Sequence, residues 1–568
     1  MLNLRRRRMI LAFWAMALAF ALVTWHLYNI QLVRGNSLAL QALEISSEEV
    51  ALEEFVRGEI TDRHNIPLAG GYYANRAVVF PSLMRQKDHE LKKLAAILNV
   101  KPEELDKKAQ RGAFYISRPL TGEQYNALRN AAPAGVYLLP VYQKYGDDPL
   151  AVHVAGHLGK IKSTEQYQRL QKNSAKKYHL GDWVGQSGLE FFYERELKGS
   201  YPKRLARVPV DARGRVIKGP GLLVDSEGTD PGRRNVVTTI DYRVQRIVEE
   251  VMDQHVASGA VVVMQAGGGD ILAMSSRPDY HPAPSRMETL VNEPAGDIFV
   301  DYCTSLVQPG SIFKIVLAAA AVEKGIVDSR TRFNCAGANA EPVRCWSDGG
   351  HGIISFDDAF AVSCNPAFVE IGRRLGAATI IEYAEALGLA NQAITGYPVK
   401  ADARQDLLLI GKRYNLANSC VGQGPVLVTP VQVTALINTI ASGGVYYQPR
   451  LVMGLSDDAG HLVRQFNGPA PRRAVAAYTA DRLRALLRQV TVSGVGKKAE
   501  VPGWGSAGKT GSAQVAGDEG PVNAWFAGYV PAERPQYVIT VLVRGGKSGG
   551  ATAAPLFREI ASRIMELN

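Results

Sequence analysis

The chain is predicted to be an α+β protein carried on a single N-terminal membrane helix, and three features of its sequence predict this. Met9 to Val33 runs without a charged side chain directly after Arg5 to Arg8; a change of composition falls near Asp230-Pro-Gly-Arg-Arg; and the segment beyond it reads as strands, then helices, then strands again. At about 1.5 Å rise per residue the apolar run crosses roughly 30 Å of hydrocarbon, so residues 9–33 are expected to span a membrane. A signal peptide is the competing reading, but the run is too long for one and Thr24-Trp-His-Leu-Tyr28 offers no small-residue cleavage site. Four arginines on the N-terminal side place residues 1–8 in the cytoplasm and everything after about residue 34 outside it. Trp25 and Tyr28 fall at the outer interface.

The remaining body, 46% hydrophobic over the whole sequence, is too long for one core and is expected to form two domains, 34–230 and 231–568. The first mixes charged helices, at Asp88 to Leu98 and Pro102 to Arg111, with short strands, and reads as a spacer and docking platform. The second is richer in Gly, Ala and Val. Strands are expected at Gly259 to Gln265 and Asp270 to Ser275, helices through the middle, strands again at Asn523 to Val530 and Gln536 to Val543, and a closing helix from about Ala554. That order argues an antiparallel sheet flanked by helices. A net charge of +11 raises nucleic acid as a partner, but an extracytoplasmic body excludes it. Basic side chains facing an anionic wall and lipid surface suffice, and Lys172 to Lys177 is read as a solvated face.

Three motifs carry chemistry: Ser311-Ile-Phe-Lys314, Ser363-Cys-Asn365 and Lys509-Thr510-Gly511. Ser-x-x-Lys alone is weak, since it recurs at Ser174/Lys177, Ser200/Lys203 and Ser506/Lys509. Around Ser311 the context differs. Gln308-Pro-Gly signals a turn, and the residues after it form a helix apolar on nearly all sides, so Lys314 lies over Ser311 in a desolvated site that lowers its pKa. Ser363 and Asn365 sit on a short loop between two helical stretches and can reach one cleft, although both residue types also favour helix caps. Lys509 to Gly511 has small neighbours, as suits a strand edge that another backbone approaches closely, and along which a peptide could lie as an added strand. Together these supply a serine nucleophile, a lysine base, a hydroxyl relay and a cationic clamp for acyl transfer through a serine ester, which calls for no cofactor.

Five cysteines are present, and Cys303, Cys335, Cys345 and Cys364 cluster in sequence near the motifs. Three readings stay open: a disulfide from Cys345 to Cys335 or to Cys364, a zinc site of Cys335, Cys345, Asp348 and His351, or buried free thiols. His351 between two glycines reads as a structural hydrogen-bonder.

With these motifs the sequence resembles the class B penicillin-binding proteins, and among them the elongation-type penicillin-binding protein 2, over nearly its whole length. Arg57-Gly-Glu-Ile-Thr-Asp-Arg63 and Gly185-Gln-Ser-Gly-Leu-Glu190 match the signatures of the family's pedestal, the dimerisation-type domain. Gly350-His-Gly352, Gly422-Gln-Gly424 and Trp525-Phe-Ala-Gly528 fall where its transpeptidase domain has them, while Ser512 stands where Thr is usual. The resemblance implies a peptidoglycan D,D-transpeptidase inhibited by β-lactams, acting on stem peptides that end in D-Ala-D-Ala. Thr510 and Ser512 would hold the terminal carboxylate, and a membrane glycosyltransferase of the shape, elongation, division and sporulation class would be the partner. The alternatives are a β-lactam sensor or β-lactamase, for which no Glu motif to activate a deacylating water is found, and a scaffold without catalysis, against which the intact motifs argue.

Overall fold

The structure is a computed structural model that describes every residue except 1, 34–46, 173–175, 212, 218, 220, 227–229, 293–295, 400–404, 413, 516–520 and 568. Ser174, one of the competing Ser-x-x-Lys serines, lies outside the described residues. Leu2–Tyr28 is one α-helix, continued by a π-helical turn at Asn29–Val33. Met9, Phe13, Trp14 and Phe20 on it are exposed, the condition of a helix whose covering is lipid.

The chain forms two compact units. The first comprises 1–56, 72–143 and 201–228. In it Arg204–Pro209 pairs antiparallel with both Ser47–Ala51 and Leu223–Ser226, and a second sheet sets Tyr72–Val79 between Phe114–Tyr115 and Val136–Gln143. Helices Lys87–Leu98 and Pro102–Ala109 lie close to the expected spans; Leu91, Leu94, Leu98 and Leu105 turn inward at helical spacing against Ala77 and Val79. A capping box between Thr121 and Gln124 starts the next helix, Gly122–Ala131.

The second unit comprises 57–71, 144–200 and 229–568 and is built around a five-stranded sheet. Helix α1 (Tyr242–His255), capped by Asp241, leads to strands β1 (Gly259–Gln265) and β2 (Ile271–Arg277). Helices α2 (Lys314–Glu323), α3 (Phe356–Ala361), α4 (Asn365–Ala386, kinked at Gly376), α5 (Pro430–Ala441) and α6 (Ala477–Val492) follow. Strands β3 (Ala507–Gln514), β4 (Val522–Val530) and β5 (Tyr537–Gly546) and helix α7 (Ala554–Met565) complete it. The strand order is β2-β1-β5-β4-β3 with every neighbour antiparallel, as the strand–helix–strand pattern predicted.

Period-two alternation explains the layering. On β1, Val261 and Val263 join α1 and α7 in one apolar cluster, while Ala260, Val262 and Met264 join α2 and α5 in the other. Each such buried valine or methionine stabilises by about 1.5–3 kcal/mol relative to exposure. Residues 314–321 of α2 are buried throughout, so this helix is enclosed on all sides as its sequence required. Strand β3 is left at the sheet's edge, beside the turn that precedes α2.

Candidate active site

A 3-10 turn, Gly310–Phe313, runs straight into α2, which puts Ser311 in the turn and Lys314 at the helix start. Gly310 has φ +55°, and a Cβ there would lie 2.6 Å from the Ser512 carbonyl oxygen. Gly511 faces the same contact from the other side, since its Cβ would lie 2.5 Å from the Pro309 carbonyl oxygen. Only glycines let the Ser311 turn and the edge of β3 meet backbone to backbone. The indole N–H of Trp525 on β4 donates to the Gln308 carbonyl at 3.0 Å and fixes the turn from below.

Ser363 lies between α3 and α4 as the sequence predicts, whereas Asn365, expected on the same loop, is the first residue of α4. Ser363 holds φ +60°, a left-handed conformation that costs a non-glycine residue about 1–3 kcal/mol. The strain has a visible return: Lys314 Nζ donates to the Ser363 carbonyl at 2.8 Å, lies 3.2 Å from Ser363 Oγ, and donates to Asn365 Oδ1 at 2.7 Å. Lys509 Nζ reaches the same hydroxyl at 2.9 Å. The Ser363 hydroxyl is therefore held between two lysine amines. Both lysines are fully buried, over the rings of Phe368 and Phe360, and no carboxylate among the described residues pairs with either. Burial lowers the Lys314 pKa to about 7. Burial, and then the charge of Lys314, hold Lys509 well below its ordinary value.

Ser311, Ser363, Asn365, Thr510 and Ser512 line one cavity of about 1190 Å³. The Ser311 hydroxyl makes no hydrogen bond to another described residue, whereas Ser512 Oγ accepts from the Gly549 N–H at 3.0 Å and keeps its own proton to donate. Ser506 is fully buried and donates to the Ala499 carbonyl at 2.8 Å, so its Ser-x-x-Lys spacing is incidental. Residues the sequence did not single out also line the cavity: Arg344, Trp346, Asn418, Lys497 and Lys498. Arg344 and Trp346 precede the Ser363 motif on a loop, Asn418 lies on the short helix Leu416–Cys420 and Lys497 and Lys498 on a 3-10 turn, all outside the three motifs, and no local pattern marks them.

All five cysteines are free thiols, so neither disulfide forms. Cys335, Cys345, His351 and Cys364 instead converge, their donor atoms all within 4.8 Å of one another. His351 Nδ1 lies 3.4 Å from the Cys335 sulfur and 3.5 Å from that of Cys345. The Cys364 thiol, in donating to Cys345, favours a thiolate at Cys345 and keeps its own proton. Three sulfurs and one imidazole make the donor set of a closed tetrahedral zinc site. Asp348, the fourth ligand the sequence suggested, is outside this group, and Cys364 takes its place. A Zn²⁺ held by these four would brace the loop that carries Ser363 and Asn365.

A serine in a turn, a buried lysine with no carboxylate partner among the described residues, a shared hydroxyl and an open strand edge are the arrangement of a serine acyltransferase of the Ser-x-x-Lys type. Residues 259–562 match the penicillin binding protein transpeptidase domain, residues 53–225 match the penicillin-binding protein dimerisation domain, and the chain belongs to this family of transpeptidases. It is similar to Stage V sporulation protein D of Bacillus subtilis, 29% identical over 582 residues, covering 98% of this chain and 85% of that one. Peptidoglycan D,D-transpeptidase MrdA of Salmonella typhimurium is 25% identical over 614 residues, covering 99% and 96%. A solved structure described as "Structural coordination of polymerization and crosslinking by a peptidoglycan synthase complex" shares the fold, with TM-score 0.69 at 21% identity over 99% of each chain. These relatives agree with the resemblance read from the sequence, and the apolar N-terminal helix is a membrane anchor.

Proposed function

We propose that this protein is a peptidoglycan D,D-transpeptidase in which Ser311 takes the acyl group of a stem peptide ending in D-Ala-D-Ala and passes it to the amine of a neighbouring stem. The observation that carries the proposal is the Ser363 hydroxyl bridging the Lys314 and Lys509 amines at the wall of the cavity that Ser311 enters. With a pKa near 7, Lys314 is substantially a neutral amine at neutral pH and serves as general base. It removes the Ser311 proton as Oγ attacks the carbonyl of the penultimate D-Ala. The backbone N–H groups of Ser311 and Ser512 receive the oxyanion, and one such donor is worth about 3 kcal/mol in serine enzymes. The C–N bond breaks, and the proton travels from Lys314 through Ser363 to the leaving D-Ala amine. An acceptor amine then attacks the ester, gives its proton back to Lys314, and Ser311 leaves as the hydroxyl.

Lys509, Thr510 and Ser512 take the terminal carboxylate. An arriving anion favours charge on Lys509, and that charge in turn favours the neutral form of Lys314, so substrate binding completes the base. A β-lactam presents the same carboxylate and carbonyl and leaves Ser311 acylated. The N-terminus lies in the cytoplasm and the catalytic unit outside it. The arginines before the membrane helix support that orientation. The partner is a membrane glycosyltransferase of the shape, elongation, division and sporulation class, engaged through the membrane helix and the first unit; a relative described in a complex that couples polymerisation to cross-linking supports this.

Fluorescent penicillin tests the central step. The wild-type chain is expected to label covalently on Ser311, and Ser311→Ala to lose the label entirely. An adduct mapped by mass spectrometry to any other serine overturns the assignment.

A further inference from the structure

The second unit holds a second concave site, of about 660 Å³, whose lining shares no residue with the cavity that Ser311 enters. Its floor is aromatic. Tyr193 is buried, its hydroxyl donating to the Gly396 carbonyl at 2.8 Å, and its ring meets that of Phe192 edgewise at 5.0 Å and that of Phe466 at 6.1 Å. Phe191 and Phe192 are nevertheless 49% and 48% exposed, so a contiguous apolar surface is held open to water, which is a mark of an interaction site.

Three guanidiniums rim this floor. Arg169 lies over the Phe191 ring at 5.9 Å, Arg464 lies over the Phe466 ring at 5.0 Å, and Arg195 stands exposed between the two elements that carry the phenylalanines and the buried leucine Leu197. None of the three pairs with an acid among the described residues. Of the two carboxylates in the described lining, Glu194 is buried and bound to Arg57 at 2.8 Å, which leaves only the partly exposed Glu196 against three cations.

Arg464 also belongs to an open strand edge. Leu462–Gln465 is the outermost strand of a four-stranded sheet that continues through Val452–Ser456 and Asn235–Thr238 to Ile60–Thr61, and all four of its residues are exposed. Such an edge offers unpaired backbone N–H and C=O groups to another chain. The residue after it, Phe466, enters the aromatic floor, so the edge leads directly into the concave site.

We propose that this surface docks an acidic, extended segment of a partner protein. The segment adds a strand to the Leu462–Gln465 edge, rests an apolar side chain on Phe191, Phe192 and Phe466, and meets Arg169, Arg195 and Arg464 with carboxylates. Backbone pairing along an edge supplies affinity, and a pocket at its end fixes register and sequence. Aromatic rings and arginines are the side chains that dominate binding at protein interfaces, and a guanidinium takes a carboxylate through two parallel hydrogen bonds. A neutral or basic segment of the same shape is disfavoured by the field of the rim.

The test uses the full chain and three fluorescein-labelled heptapeptides, X-Thr-Phe-Thr-X-Thr-X, in which every X is Glu, Gln or Lys; the X and Phe positions share one strand face. By fluorescence anisotropy the Glu peptide is expected to bind about ten-fold or more tightly than the Gln peptide at low salt, since three exposed ion pairs act together, with the Lys peptide weakest. The preference should shrink as the Debye length falls from about 30 Å at 0.01 M to about 8 Å at 0.15 M. In the triple variant Arg169→Glu, Arg195→Glu, Arg464→Glu the order should reverse, with an unchanged Tm showing that the fold is intact. Should that variant lose its Tm, Arg464→Gln alone is expected to weaken the Glu peptide by about three-fold. Backbone hydrogen exchange at Leu462 to Gln465 should slow when the Glu peptide binds. Equal affinities, no binding of the Glu peptide, an order that survives the substitutions, or edge exchange that binding does not slow overturns the proposal. So does slowed exchange at Phe191 to Arg195, without peptide, in phosphatidylglycerol nanodiscs but not in phosphatidylcholine ones, which would assign the surface to lipid headgroups.

Discussion

Lys144 and Lys314 are both buried lysines of the same unit, and they have opposite fates. Lys144 stands 3.2 Å from Glu59 and 3.2 Å from Glu190, in a network where Glu190 also meets Arg57 at 2.5 Å and Arg57 meets Glu194 at 2.8 Å. Burial works against its charge, yet the two carboxylates outweigh burial and raise its pKa. Among the described residues Lys314 bonds to a carbonyl, a hydroxyl and an amide oxygen, lies over the face of Phe368 and pairs with no carboxylate; the cysteines nearby, Cys364, Cys345 and Cys420, favour its charge, yet burial wins. What separates the ammonium of Lys144 from the amine of Lys314, pushed down to about 7, is thus a paired carboxylate, with burial common to both. The first network joins segment 57–71 to segment 144–200 inside one unit; the second aligns three motifs around one hydroxyl.

The largest effect is expected from removing the base. Lys314→Arg keeps a cation but cannot release a proton near neutrality, so acylation of Ser311 by penicillin should fall by about 10²- to 10⁴-fold. Rapid-mixing measurement of acylation checks it, and near wild-type rates in a folded variant would assign the base elsewhere. The second effect falls on the other lysine. Glu190→Ala leaves Arg57 and Lys144 short of a shared carboxylate, and breaking a buried pair costs about 3 kcal/mol or more. A lowered midpoint in chemical denaturation is expected, with the pH midpoint of acylation unmoved. A shift in that midpoint would mean that the two networks are coupled.

Much of this site was legible in sequence because its parts are local. Ser311 and Lys314 share one turn, Ser363 and Asn365 flank one residue, and Lys509 to Gly511 lie on one strand. The sheet was legible for the same reason, since β1, β4 and β5 are continuous apolar runs bounded by turn residues. What stayed hidden is non-local. Ile60 pairs with Val236, far along the chain, so nothing nearby announces that residues 57–71 join the larger unit. Lys509 reads as a cationic clamp on an anionic substrate, whereas its contact with Ser363 depends on how β3 packs beside the Gly310–Phe313 turn and α6. Cys364 replaced Asp348 in the thiol cluster because the Ser363 loop folds back over Cys335 and Cys345, which spacing along the chain does not encode.

That cluster supplies the third test. The purified chain is expected to carry about one zinc ion, bound by three thiolates and an imidazole as in closed structural sites. A metal present at 100 times its dissociation constant stabilises the fold by about 2.7 kcal/mol. Chelation should therefore lower the Tm and, by loosening the loop that carries Ser363, slow acylation of Ser311 without changing which residue is labelled. Elemental analysis finding no metal, with a Tm indifferent to chelator, would leave the four residues as a packed thiol cluster.

The smallest and most specific effect tests the comparison itself by giving Lys314 what Lys144 has. Asn365 Oδ1 accepts from Lys314 Nζ at 2.7 Å, so Asn365→Asp sets an anion against the base with almost no change of shape. An opposite charge at that distance raises a lysine pKa by about 1–3 units. Acylation needs the amine, so its rate rises with pH through the Lys314 pKa, and the midpoint should move upward from about 7 by at least one unit. At neutral pH the variant should acylate about ten-fold more slowly, and it should recover in alkaline buffer. The substitution also removes the N–H that Asn365 donates to the Arg344 carbonyl, so some loss of positioning is expected. The two effects separate cleanly, because mispositioning lowers the alkaline plateau while the new charge moves the midpoint. A lowered plateau with the midpoint still near 7 would mean that the titrating group is not Lys314, and the contrast between the two lysines would no longer explain the chemistry.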